Sequence, residues 1–311
     1  MLQFPEKGFN RSVGRSNVKT NYLGDWLEAC SLFDGPDVSR SDVVDMLIEG
    51  QICDADDQDL AHQIVEEGWS ELARRQRWGG VPVGTTVGAT RVETLQNWED
   101  DLIRSFFLYL SLVRIYPEWA KGYYDHVRQG DLFERVCEAI CPHLLPGWET
   151  YRAGWSPDDT KNIPDIVEQL ISRIFVKGSA DLERWLSGDE NDGGLDIVCY
   201  RPFKDEREAM PVYFLQCASG KNWREKVQTP SPEYWKTILD AAVLPSTGIL
   251  APFVIEDQQL RIASLVGQTI VFDRLRLMSA VQEGAIMLDG NLRDELKDWL
   301  RPRIEGLPRA S

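Results

Sequence analysis

Over roughly the first third of the chain, apolar residues recur at helical spacing. Residues 1–20 show no apolar period and read as a lead-in, after which Leu23, Trp26, Leu27 and Cys30 share one helical face. Ser41 is a cap for a second predicted helix through Val43–Ile48. A third, Asp59–Trp78, carries Ile64, Trp69 and Leu72 among charges and stops at Gly79-Gly80. Val81–Gly88 reads as a loop, and Glu93–Tyr116, the most apolar stretch, as a long helix closed by Pro117 and Gly122. Residues 1–125 are therefore predicted to form an all-helical domain.

From Gly130 the pattern changes. Asp131–Leu145 is a predicted helix with Leu132, Val136, Ala139, Ile140 and Leu144 facing inward and Glu134 and Glu138 one turn apart on another side. A short strand, Trp148–Arg152, follows Pro146-Gly147. Helical patterns at Ile163–Phe175 and Ser179–Leu186 form an insertion at about 156–190. Two runs rich in β-branched and aromatic residues, Leu195–Tyr200 and Val212–Ala218, read as paired strands. Ser231-Pro232 starts a helix reaching Ala242. A strand at Gly248–Ile255, a helix at Gln259–Val266, an extended run at Thr269–Leu277 and a helix at Leu292–Ile304 complete the chain. Residues 126–311 are thus predicted as an α/β domain, a mixed sheet covered by helices.

At 311 residues, with 43% hydrophobic and 10% aromatic residues, the chain can fill two cores. Phe106–Tyr116 is too short to cross a bilayer, and the N-terminal residues hold no signal-length apolar run, so a cytoplasmic protein without membrane contact is expected. None of the six cysteines forms a CxxC pair, and they read as reduced, packed thiols. Cys137 and Cys141 with His143 lack a second ligand cluster downstream and read as core rather than zinc site. The aspartates of Asp54–Asp59 lack the glycine and terminal glutamate of a calcium loop. Neither a phosphate-binding GKS/T loop nor a GxGxxG signature is present.

The net charge of −16, shared evenly between residues 1–130 and 131–311, argues against coating nucleic acid by bulk electrostatics. Contact with DNA then requires local features, a divalent ion or a partner. Lys221, Arg224 and Lys226 make the clearest positive spot, and Trp223 among them either stacks on a base or anchors the loop in the core.

Asp196 begins one predicted strand and Gln216 ends the next, so a carboxylate and an amide meet at a sheet rim, where both can approach one bound ion. With Gly130-Asp131-Leu132-Phe133-Glu134 on the preceding helix, Gly194-Leu195-Asp196 and Gln216-Cys217-Ala218 resemble the PD-(D/E)xK, or restriction-endonuclease-like, nuclease superfamily. The pattern departs at Ala218, which stands where that family carries lysine; the nearest cation is Lys221. The resemblance covers Gly130–Val254 and implies a restriction-endonuclease-like mixed sheet and Mg²⁺- or Mn²⁺-dependent hydrolysis of DNA. It implies Asp196 as principal metal ligand, with Gln216, the Cys217 carbonyl and Glu134 completing the site and Lys221 orienting or acidifying the attacking water. Lys221, Trp223, Arg224 and Lys226 would contact nucleic acid.

A role in bacterial defence against foreign DNA follows from the resemblance alone. The helical domain is expected to bind a protein partner or a second copy, and a chain beginning near Gly122 to keep nonspecific cleavage while losing target choice. The alternative is a catalytically silent nuclease-like subunit that binds DNA or a partner protein, which a Lys221 turned to solvent would favour. An RNA-cleaving variant is a third reading.

Overall fold

The computed structural model describes residues 1–5, 19–53, 58–81, 84–154, 163–180, 182, 193–283 and 286–310. The first part of the chain forms α1 (Thr20–Ala29), β1 (Asp37–Ser39), α2 (Arg40–Glu49), α3 (Gln58–Arg77), β2 (Thr85–Val87), β3 (Arg91–Thr94), α4 (Leu102–Ile115) and α5 (Pro117–Ala120). The second forms α6 (His126–Leu144), β4 (Glu149–Arg152), α7 (Ile163–Ile174), β5 (Lys177–Gly178), β6 (Ile197–Tyr200) and β7 (Val212–Cys217). It continues with α8 (Pro232–Ile238), β8 (Leu239–Asp240), β9 (Ser246–Leu250), α9 (Asp257–Gly267), β10 (Ile270–Phe272), α10 (Arg274–Glu283) and α11 (Gly290–Glu305).

Five strands make a mixed sheet in the order β10-β9-β7-β6-β4. β4, β6 and β7 pair antiparallel, while β7–β9 and β9–β10 are parallel. Side chains of β6 alternate between two cores, as a two-residue period requires. Ile197 and Cys199 pack with Phe107 of α4 and Phe133 and Val136 of α6. Val198 and Tyr200 pack with Ile166 and Leu170 of α7 and Trp235 of α8. The expected α/β class, a mixed sheet flanked by helices, is what the chain forms.

The all-helical expectation for residues 1–125 needs correction: β1, β3 and β2 form a small antiparallel sheet in that order. Thr85, Val92 and Thr94 are buried there, and β-branched residues at alternate positions favour a strand over the first turns of a helix. The long helix expected from Glu93 accordingly starts at Leu102, capped by Asp101, whose side chain accepts the Arg104 N–H. Ser39, not Ser41, caps α2 through the Asp42 N–H. α6 starts at His126, five residues before the expected Asp131, because Asp125 caps it. Of the extended run expected at Thr269–Leu277, Ile270–Phe272 is strand β10, but from Arg274 the chain is helix α10. Most of the expected helix at Ser179–Leu186, much of the 156–190 insertion and Asp54–Asp57 lie outside the described residues.

The larger core is one cluster running from Leu2 and Trp26 through Phe106 and Phe107 to Ile249 and Trp299, and so extends across residue 125. A buried ion network joins the same parts. Arg75, 0% exposed, donates to Asp25 at 2.8 Å, Glu28 at 2.6 Å and Glu71 at 2.7 Å, and Arg274 reaches Asp25 at 3.0 Å and Glu28 at 3.1 Å. No helix among the described residues is long and apolar enough to cross a membrane.

Candidate active site

Antiparallel pairing of β6 with β7 brings Asp196, one residue before β6, beside Gln216 near the end of β7. Both are buried. The Oδ2 atom of Asp196 accepts the Cys217 N–H at 2.5 Å and the Gln216 Nε2–H at 2.8 Å. The Asp196 carbonyl accepts the N–H groups of Ala153 and Gly154 at 2.8 and 2.9 Å, so the segment after β4 is tied to the same corner. Gly194, at φ +72°, lets the chain enter β6 through a left-handed turn. A Cβ there would sit 3.1 Å from Gln216 Oε1.

Glu134 arrives from α6, half-buried, with its carboxylate lying over Gly154. A Cβ on Gly154 would come within 2.9 Å of the Glu134 carboxyl carbon, so the absent side chain makes room for the acid. Asp131 on the same helix has a different role. It is held by Arg128 at 3.1 Å, Arg152 at 2.9 Å and Arg135 at 3.6 Å, which makes it a buried structural anion. Burial pushes the Cys217 thiol well above its ordinary pKa, and its hydrogen bond with Cys137 and the nearby charges of Asp196 and Glu134 push the same way. Cys137 and Cys141 are buried core residues, as expected.

Ala218 is 0% exposed, packed in the larger core, with its N–H on the Leu250 carbonyl. A lysine there would bury its charged chain, which the packing around Ala218 does not accommodate. Lys221, expected to supply the cation, is exposed on the rim of the cleft. Lys226, eight residues beyond Ala218 on the short 3-10 turn Trp223–Lys226, donates its ammonium to the Cys217 carbonyl at 3.2 Å. Lys221 was expected to orient or acidify a water at this corner; Lys226 is the lysine that bonds the Cys217 carbonyl there. Trp223 is also corrected: at 3% exposure its ring anchors the turn and offers no face to a base. Arg224 is exposed and bonds Gln259 at 2.6 Å.

Glu134, Asp196, Gln216 and Cys217 line a cleft of about 1120 Å³, together with Lys221, Trp223, Arg224 and Lys226. The lining also includes Lys19 and Tyr22 of the first helical segment, Arg114 of α4, and Tyr124 and His126 where α6 begins. Nothing in the helical periodicity of those segments marked them as part of a cleft. Among the described residues no three His, Cys, Asp or Glu side chains cluster as metal ligands. The available donors are two carboxylates, one amide and one main-chain carbonyl, a hard all-oxygen set that suits Mg²⁺ or Mn²⁺. Gln216 turns its NH₂ to Asp196 here; half a turn of the amide plane presents its oxygen instead.

No family model matches the chain, and no curated protein matches it. Among solved structures it is similar to the restriction endonuclease FokI at 10% identity and a TM-score of 0.23, over 93% of this chain and 47% of that one. The chain spans about half the length of that protein, and so distant a likeness carries no information about the site.

Proposed function

We propose that the chain is a metal-dependent nuclease that hydrolyses DNA phosphodiester bonds at the corner formed by Asp196, Gln216, the Cys217 carbonyl and Glu134. One observation supports this above the others: two carboxylates from a helix and a strand meet an amide, a main-chain carbonyl and a lysine in one cleft. When bound, Mg²⁺ would neutralise charge on the phosphate and acidify a water. Asp196 and Glu134 would hold the ion, with Gln216 and Cys217 as neutral oxygen donors. Glutamine in place of glutamate leaves the site one negative charge weaker, which lowers metal affinity without removing the ligand. Lys226 bonds the Cys217 carbonyl, and from there its ammonium would serve a phosphate oxygen or the attacking water. Lys221 and Arg224 on the rim would contact flanking phosphates. A role in bacterial defence rests on the sequence resemblance alone.

The silent-subunit reading draws on two observations, the Gln216 amide closing on Asp196 and the exposure of Lys221. Lys226 at the Cys217 carbonyl returns a cation to the site and favours the enzyme. Incubating the full chain with supercoiled plasmid and with single-stranded DNA in Mg²⁺, in Mn²⁺ and in EDTA decides between them. The nuclease reading expects cleavage of at least one substrate with either metal and none in EDTA. Both substrates intact in all three, with DNA still retained in a binding assay, makes the silent reading the right one.

A further inference from the structure

The cleft holds cations from two parts of the fold, in a chain whose net charge is −16. Lys221, Arg224 and Lys226 come from the segment after β7, and Lys19 and Arg114 from the start of α1 and from α4. Glu225 and Glu256 offset part of this, yet apart from the two site acids the lining holds five cations against two anions. Arg114 is fixed in place, its guanidinium 4.3 Å from the Phe253 ring centre and 5.2 Å from that of Tyr22, with a hydrogen bond to the Tyr22 hydroxyl at 3.1 Å. Tyr124 is 49% exposed in the same lining, its ring 5.0 Å from that of His126 at a tilt of 31°. The Gln129 side chain of α6 donates to the Ser219 carbonyl at 3.4 Å and to the Ser219 hydroxyl at 3.3 Å, joining α6 to the segment after β7.

A strand lying in the cleft meets both groups of cations. The cleft's volume of about 1120 Å³ is just above the roughly 300–1,000 Å³ of small-molecule pockets, room for a few nucleotides. Cations that follow a backbone, with an exposed aromatic ring beside them, are the chemistry of single-strand binding.

We propose that the cleft takes its nucleic acid as a single strand, a free strand, flap or frayed end, with Lys19, Arg114, Lys221 and Arg224 along the backbone and Tyr124 as a stacking face. This assignment rests on the nuclease reading of the same site and is tested apart from it. Fluorescence anisotropy is measured in EDTA on full-length Asp196→Asn, with a fluorescein-labelled DNA strand of about 20 nucleotides and its blunt duplex, long enough to cover one strand-binding site. The single strand should bind at least about tenfold tighter than the duplex. Adding Tyr124→Ala or Lys19→Glu, both at surface positions, should each weaken strand binding several-fold to about tenfold and leave duplex binding unchanged. Equal or tighter duplex binding overturns the proposal, as does binding of neither oligonucleotide, or strand binding indifferent to both substitutions. The wild-type chain is then given the same oligonucleotides with Mn²⁺. A strand preference in binding without cleavage of either sinks the nuclease reading and leaves the cleft assignment standing. Cleavage accompanied by duplex preference does the reverse.

Discussion

Gly154 lacks a side chain at the point where the Glu134 carboxylate needs the space, and its N–H holds the Asp196 carbonyl. Gly154→Ala should displace Glu134 while costing the fold only about 1–3 kcal/mol, the usual penalty of overpacking. Cleavage should fall at least about tenfold with the protein still folded by circular dichroism; wild-type turnover in that variant would remove Glu134 from the site. The two lysines separate in the same way. Lys226→Met takes away the cation on the Cys217 carbonyl and should cut the cleavage rate about a hundredfold with little change in DNA binding, the scale of losing one electrostatic stabiliser. Lys221→Met, at an exposed rim position, should instead weaken binding and lower its salt dependence by about one counterion. Single-turnover rates beside filter-binding isotherms distinguish these outcomes. Asp196, Gln216 and Glu134 were legible because each sits at a recognisable place in a strand or helix. Lys226 was not, since its reach depends on how the turn after β7 folds back, and a count along the chain favours the nearer Lys221.

Among the elements, α3 was read closely from its apolar face, and the start of α8 from Ser231, whose side chain accepts the Tyr234 N–H, followed by Pro232; α8 ends at Ile238, short of the expected Ala242, because Leu239–Asp240 pairs as β8 with β5. The small sheet was lost because its strands are only three or four residues long, too short for a two-residue period to stand out from the neighbouring helical pattern. α10 was lost because Asp273 and Arg274 are buried polar residues that break its apolar pattern. Asp273 is held there by the Ile255 N–H at 3.2 Å. Arg274 belongs to the ion network that links α10 to α1 and α3. Replacing Arg75 by Met leaves Asp25, Glu28 and Glu71 buried with too little positive charge, which should cost about 3–5 kcal/mol. Arg40→Met, which breaks the surface pair with Glu66 and removes the guanidinium lying 5.1 Å from the Trp69 ring centre, should cost no more than about 1–2 kcal/mol. Urea denaturation of both variants checks the contrast; equal losses would mean that the buried network does not hold the elements together.

For the molecule as a whole, the helical segments and the sheet share one core. Phe107 of α4 packs on Phe133 of α6 with ring centres 5.5 Å apart, and Phe106 and Tyr109 both pack on Trp299 of α11 at 5.6 and 5.2 Å. A chain starting near Gly122 would expose those faces, so it should show no cooperative thermal transition and no residual cleavage, contrary to what the sequence alone led us to expect. A soluble fragment with a sharp melt would show that residues 126–311 stand alone. The part of the cleft lining outside the segment after β7 was illegible for a related reason: Tyr22 and Arg114 are 92 residues apart, and no local pattern announces a contact over that separation. The central claim is that phosphodiester hydrolysis occurs at Asp196. Asn keeps the shape of Asp and one oxygen acceptor but removes the charge that would hold a cation. The most direct measurement is therefore cleavage of plasmid and single-stranded DNA by wild type and Asp196→Asn side by side in Mn²⁺, with melting curves of both. The account predicts cleavage by wild type, none by the variant, and melting temperatures within a few degrees; cleavage by Asp196→Asn at the wild-type rate would contradict it.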